Sequence, residues 1–359
     1  MLDASCALKD EMTPHERMGS LMQGKPIDRI PCVPMIGAVA AKLIGVHVNE
    51  MLQSPRLTAD AQIRSYELFH HDSVSVCIGS HAIATAFGGR MTDPVDDNPA
   101  MKVNPIQTEQ DLDRLDLADL DKCPAIQVPL EAAKILVDRL GGEVGTGLIV
   151  GGPFSVASSL RGTNFLLREI IRNPEFAHRL IEFSLQCSIR AALPFLREGV
   201  SPLIVDPVAS GSILDRKKAA EFAFAYTRRL IKEFQKYAPA VVLHICGNTR
   251  KLLDQMADSG AACLSLDNVV DLEQAKKQVG DRVMLNGNVD PVNVMFLGNK
   301  DLIHQAVKTC LAKAWDNPRG YILATGCDLP IKTPVENIAE FVDAARIYGK
   351  WPLDPKNFS

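Results

Sequence analysis

The stretch AVVLHICGNTRKLLDQMADSGAACLSLD, residues 240–267, decides the fold. It opens on an apolar, β-branched run, AVVLHIC, that turns polar only at its end. NTRKLLDQMADSG follows with its apolar residues at helical spacing, Asn248 placed as an N-cap and Gly260 as a C-terminal stop. ACLSLD, residues 262–267, is a second apolar run. Strand, helix and strand in that order predict two parallel strands joined by a covering helix.

The unit repeats on both sides. PLIVDP (202–207) precedes it, and Asp215 then leads into the helical pattern RKKAAEFAFAYTRRLIKEFQKY. VMLNGN (283–288) and GYILATG (320–326) follow, each with a helix after it. DLEQAKKQVG supplies the helix after 262–267. The last helix opens on Thr333, Pro334, Val335 and Glu336, a capping-box spacing with proline at the first helical position. The first half adds RIPCVPMI (29–36), DSVSVCIG (72–79) and GTGLIVGGP (145–153), with helical patterns at 37–53, 57–70, 126–140, 156–171 and 174–198. Eight strands alternating with helices predict an α/β fold, a (β/α)8 TIM barrel. It carries an N-terminal helical extension and an Asp- and Pro-rich excursion at 85–125, after the second strand. No G-x-G-x-x-G follows the first strand, which disfavours a doubly wound sheet. No linker divides the chain, so residues 1–359 are expected to form a single domain.

Composition narrows the function. With 47% hydrophobic and 23% charged residues and a net charge of −4, the chain reads as a soluble globular protein. It has no basic stripe for nucleic acid and no long apolar run for a membrane. The N-terminus MLDASCALKDEM lacks the regions of a signal peptide, so a cytoplasmic location is expected. The nine cysteines, at 6, 32, 77, 123, 187, 246, 263, 310 and 327, are scattered and odd in number. That pattern favours free thiols, metal ligands or catalytic groups over a disulfide framework.

A barrel places functional groups at the C-terminal ends of its strands. There the runs end in Asp206, His244 and Cys246, Asp267, Asn286 and Asn288, and Cys327 and Asp328. Residues two apart on a strand share a face, so His244 and Cys246 aim at one point. Cys327, from the eighth strand, converges on the same mouth. One imidazole and two thiols suit zinc, and three protein ligands leave a fourth position open. The bland alternative is a packed thiol beside a hydrogen-bonded histidine. A zinc site of near-zero net charge is a poor activator of water but a good host for an exogenous thiolate, poised to attack a methyl carbon. Asp206 and Asp267 are the candidate catalytic or substrate-positioning carboxylates. Asn248, Asn288 and Ser155 are the candidate cofactor contacts, although both asparagines suit backbone turns better than a substrate contact. Ser155, Ser158 and Ser159 also suit a helix cap that favours an anion. His70, His71 and His81 lie near the second strand, and Cys263 reads as core.

Several of these stretches resemble the uroporphyrinogen decarboxylase superfamily, and within it the methylcobamide:coenzyme M methyltransferase branch. They are GGPFSVASSL (151–160), LIVDPVASGSIL (203–214), LHICGNT (243–249), LNGNVDP (285–291) and ATGCDLPIKTPVENI (324–338). The resemblance implies a (β/α)8 barrel and zinc held by His244, Cys246 and Cys327. It also implies methyl transfer from methylcobalamin, carried on a separate corrinoid protein, to a zinc-bound thiol such as coenzyme M. Two positions depart from that branch: Gly151 stands where a glutamate is expected, and SLDNVVD (265–271) is closer to the decarboxylases. The alternative expectation is the reverse half-reaction, demethylation of a methoxylated aromatic, a methylamine or a halomethane onto cob(I)alamin. The decarboxylase itself is a further alternative. Its arginine-rich run after the first strand is replaced here by PMIGAVAAKLIG (34–45), which leaves nothing to hold an octa-anionic substrate. A non-catalytic zinc or corrinoid-docking protein would be a different class again. The oligomeric state is left open by the sequence.

Overall fold

The eight expected strands all form in the computed structural model, which describes residues 10–358. Cys6 lies outside the described residues. The strands are β1 (Cys32–Val33), β2 (Val74–Ile78), β3 (Thr146–Gly151) and β4 (Ser201–Val205), followed by β5 (Val242–Ile245), β6 (Cys263–Leu266), β7 (Met284–Val289) and β8 (Tyr321–Thr325). They make one parallel sheet in the order β1-β8-β7-β6-β5-β4-β3-β2. The sheet curls into the (β/α)8 barrel because every strand is followed by helix that packs on its outer face. Its two ends meet at Asp72. The Asp72 amide donates to the Cys32 carbonyl at 2.9 Å, and the Cys32 amide donates to the Asp72 carboxylate at 2.6 Å.

Helix α1 (Pro14–Met22) is the N-terminal extension, opened by a Thr13–Glu16 capping box. It lies across the bottom of the barrel, where Met18 and Leu21 pack on Cys263, Met284 and Ile322. Arg17 of the same helix is fully buried. It donates to Asp28 twice at 2.6 Å, to the Met12 carbonyl at 2.7 Å and to Asp72. Arg29 joins Asp72 at 2.6 Å and Asp10 at 2.8 Å. The charges that bind α1 to the barrel are therefore the same ones that close the seam.

Burial would raise the Asp28 carboxyl, but the bonds and charge of Arg17 outweigh it and hold it at about 2. A carboxyl depressed on folding adds stability that is present above its unfolded value, 3.8, and lost as pH falls toward about 2. That contribution is of order 2 kcal/mol. Asp28→Asn is expected to destabilise the protein at pH 7 by about 3 kcal/mol, because a fully buried guanidinium loses the carboxylate that takes two of its N–H groups and keeps Asp72 and the Met12 carbonyl. It should also flatten the loss of stability between about pH 4 and 2. Urea unfolding of both proteins across that window checks the expectation; parallel curves would refute it.

Some local expectations need correction. The helical pattern at 156–171 is two helices, Pro153–Arg161 and Thr163–Arg172, broken at Gly162, whose φ of +93° no helix accepts. The segment at 37–53 begins as a 3-10 helix, Ala38–Ile44, rather than an α-helix. Thr333 does not cap the last helix. Val335–Tyr348 starts one residue later with Pro334 at the cap position, and the Thr333 hydroxyl is buried without a partner. Asn248 is likewise not the cap of Leu253–Ala257, which begins after Leu252. The excursion contains a two-stranded antiparallel ribbon, Arg90–Met91 with Met101–Val103, and short helices at Glu109–Leu112 and Leu117–Lys122. No helix among the described residues is long and apolar enough to cross a membrane.

Candidate metal centre

Register builds the site. Val205, His244, Ser265 and Asn286 are successive partners across β4, β5, β6 and β7, so their side chains share the inner face. His244 is buried, with Nδ1 3.1 Å from Ser265 Oγ and 3.2 Å from the Ser265 carbonyl. A carbonyl can only accept, so Nδ1 carries the proton and Nε2 presents its lone pair. Nε2 lies 3.1 Å from Cys246 Sγ, and Cys246 Sγ lies 3.9 Å from Cys327 Sγ. The three donor atoms fall within 4.8 Å of one another, the only group of three or more such ligands to do so among the described residues.

The loop geometry that brings them together is specific. Cys246 is the first residue past β5. The following Gly247 has φ +75°, and its amide donates to Asp267 at 2.7 Å. Asp267 also accepts from the Val269 amide at 3.1 Å, so one carboxylate ties the β5 and β6 loops. Of the two thiols, Cys327 ionises first: the Cys246 S–H donates to it, and the Asp328 amide favours its thiolate. Cys246 keeps the shared proton and is pushed up.

This donor set fits a tetrahedral metal. Zinc–sulfur bonds of about 2.3 Å put two sulfurs about 3.8 Å apart, close to the spacing found, and the Nε2 lone pair is already free. The eight cysteines among the described residues are all free thiols. Ser265 was not identified from the sequence. As the single hydroxyl in an apolar strand it carried no signal, and only the β5–β6 register reveals it. Ser265→Ala is expected to weaken metal binding by about tenfold, the usual order for losing a group that orients a ligating imidazole. Competition against a chromogenic chelator measures this; unchanged affinity would show that the carbonyl alone suffices.

The remaining candidates fall around the cluster with different partners. Asp206 is fully buried beneath the N-terminus of Pro153–Arg161. It accepts from the Ser155 amide at 2.8 Å, Ser155 Oγ at 2.5 Å and the Phe154 amide at 3.3 Å. Burial pushes its carboxyl up to about 6 against the pull of those bonds. Its own amide donates to the His244 carbonyl at 3.0 Å, fastening β4 beside the ligand strand. A Cβ at Gly152 would stand 2.4 Å from its carboxylate, which is why a glycine sits there. Ser155 is thus bound to Asp206 rather than facing the mouth. Asn288 is buried and donates to the Asp267 and Val270 carbonyls at 2.9 and 2.6 Å. Asn248 is exposed; its amide donates to Ser212, and its side chain accepts from Arg250. Ser158 bonds Thr163 at 2.7 Å, and Ser159 bonds His81 Nδ1 at 2.9 Å. His81 follows β2 and lies at the mouth end, whereas His70 and His71 precede β2 and lie at the opposite end. Cys263 is core.

The sequence profile described as Uroporphyrinogen decarboxylase (URO-D) matches residues 13–348. A protein named methylcobamide:CoM methyltransferase MtbA from Methanosarcina mazei is 27% identical over 343 residues, covering 94% of this chain and 99% of its own. A uroporphyrinogen decarboxylase from Bordetella petrii is 27% identical over 257 residues, covering 68% of this chain and 70% of its own. A solved methyltransferase from Methanosarcina mazei superposes with a TM-score of 0.83 at 24% identity, covering 93% of this chain and 98% of its own, which establishes the shared fold.

Proposed function

The chain belongs to the uroporphyrinogen decarboxylase family and stands with its methyltransferases, and we propose that it moves a methyl group between methylcobalamin, presented by a separate corrinoid protein, and a small thiol. The observation that carries this reading is the meeting of His244, Cys246 and Cys327 at the barrel mouth, three donors where a tetrahedral zinc would take a fourth ligand. Relatives covered over almost their whole length bear methylcobamide:CoM methyltransferase names, and the decarboxylase relative is matched over a smaller share.

Zinc held by these three residues supplies a Lewis-acid position that takes a thiol as its thiolate at neutral pH. The chain's own residues do the rest. Ser265 fixes the His244 tautomer and ring. Asp267 pins the Gly247 turn and so sets Cys246. Asp206 locks β4 and the helix above it to the His244 strand, which makes it a positioning residue. In the transfer the thiol proton goes to solvent and a carbon–sulfur bond forms. The cobalt–carbon bond of the substrate breaks, leaving its electron pair on cobalt.

The test is the zinc-loaded protein with methylcobalamin and a panel of thiols, compared with cob(I)alamin and methylated donors. A thioether product supports the reading, and methylcobalamin appearing from cob(I)alamin reverses its direction. Stoichiometric zinc with neither product would end it in favour of a non-catalytic role.

A further inference from the structure

We propose that the small molecule handled at the cluster is uncharged, an apolar thiol or its methyl thioether, with its body seated in one open half of the barrel lumen. The chemistry of the reacting sulfur rests on the methyl-transfer reading above; the charge and shape of the lumen do not.

The lumen is asymmetric. One register row runs Cys77, Ile149, Leu203, Val242, Cys263 and Met284 across β2 to β7. On the ligand-bearing side this row is packed shut: Cys263 and Met284 are buried with Ile322 against α1. On the other side it is open. Cys77 is exposed, and Ile149, Leu203 and, one row up, Val205 are half-buried. Their outward neighbours Val76, Ile78, Leu148, Val150 and Ile204 are all 3% exposed or less. On β2, β3 and β4 it is therefore the inner face that solvent reaches, the reverse of a filled barrel. The open half lies across from His244, Cys246 and Cys327.

Its walls are neutral and mostly apolar, and no lysine or arginine stands on either row. The charge that opens to it is negative. Asp328 is exposed, and its carboxylate lies beside the Gly37 backbone after β1. Cys77 is reached by solvent only within the lumen: desolvation there pushes its thiol up to about 11, and the Asp328 charge adds to the rise. The mouth loops do carry exposed cations, Lys42, Arg90, Lys102, Arg216, Arg250 and Lys332 among them, but these stand beyond the barrel strands and not on the lumen walls. Arg161 is already bonded to the Ile106 and Gln107 carbonyls and to Glu169. An anionic headgroup seated between these walls would meet Asp328 and no cation on either row, so its desolvation would go uncompensated there. An uncharged, apolar body loses nothing by leaving water there. A thiol bearing a sulfonate, such as coenzyme M, is the poorer fit.

Two measurements on the full chain decide it. In the zinc-loaded protein with methylcobalamin, ethanethiol and 2-mercaptoethanol should exceed 2-mercaptoethanesulfonate in kcat/KM by about tenfold or more. Equal or reversed preference overturns the inference. If no thiol turns over, the methyl-transfer reading has failed and the second measurement decides alone. Cys77 is alkylated with neutral iodoacetamide or anionic iodoacetate and followed by peptide mass spectrometry. Relative to the urea-unfolded chain, the folded protein should favour the neutral reagent at Cys77 by about tenfold. A ratio unchanged by folding overturns the inference whatever the turnover shows. Leu203→Lys should shift that ratio back toward iodoacetate.

Discussion

Cys327→Ala is expected to strip the metal and with it methyl transfer, while leaving the barrel folded. Apparent binding free energies of about 10–16 kcal/mol for four-ligand structural zinc sites amount to roughly 2.5–4 kcal/mol per ligand. Losing one of three protein ligands should then weaken zinc by a factor of about 10² to 10³. The fold has little at stake in this residue. Cys327 is only half-buried, lies past the end of β8, and is absent from both hydrophobic clusters. Its change to alanine should move the thermal midpoint by no more than a few degrees in metal-free protein. Cys246→Ala should behave the same way, since the two thiols share one cluster and their losses are not additive. Inductively coupled plasma zinc analysis, a chelator titration and the methylcobalamin assay form the check. A variant that keeps both stoichiometric zinc and its turnover would refute the ligand assignment.

The sequence made the ligands legible because their signal is local. Each strand run is apolar until its last residue or two, and His244, Cys246 and Cys327 break that pattern at the strand ends, which a barrel brings together. Eight strands were legible for the same reason, since buried parallel strands read as unbroken apolar runs. What was not legible depends on pairing. Ser265 looks like an ordinary strand residue until register sets it beside His244. Asp72, next to two histidines, gives no hint that it closes the sheet and neutralises two buried arginines. The open half of the lumen is hidden because Ile149, Leu203 and Val205 have the composition of any filled core. Thr333 and Asn248 fit a cap by spacing, but each helix begins later along the chain.

Asp206→Ala is expected to cost about 3–5 kcal/mol, more than most single substitutions. The carboxylate is the acceptor for the Ser155 and Phe154 amides, the first free N–H groups of a helix that is buried along almost its whole length. It also accepts from Ser155 Oγ, which in turn takes the Val208 amide at 3.1 Å. Removing it orphans these donors where water has no access, and each unpaired buried group carries a penalty of about 1–3 kcal/mol. Asp206→Asn keeps one acceptor oxygen for Ser155 but turns an N–H toward the Phe154 amide, so it should recover only part of the loss. The two variants also separate positioning from catalysis. If the carboxylate acts by holding the Pro153–Arg161 helix to the end of β4, kcat should follow the stability lost, so that the asparagine variant, folded below its midpoint, retains zinc and most of its kcat. If the carboxylate instead meets substrate, the same variant loses kcat by about 10² or more with zinc affinity and fold intact. Urea unfolding beside turnover at saturating thiol tells these apart, and the burial of Asp206 behind Ser155 favours the first outcome.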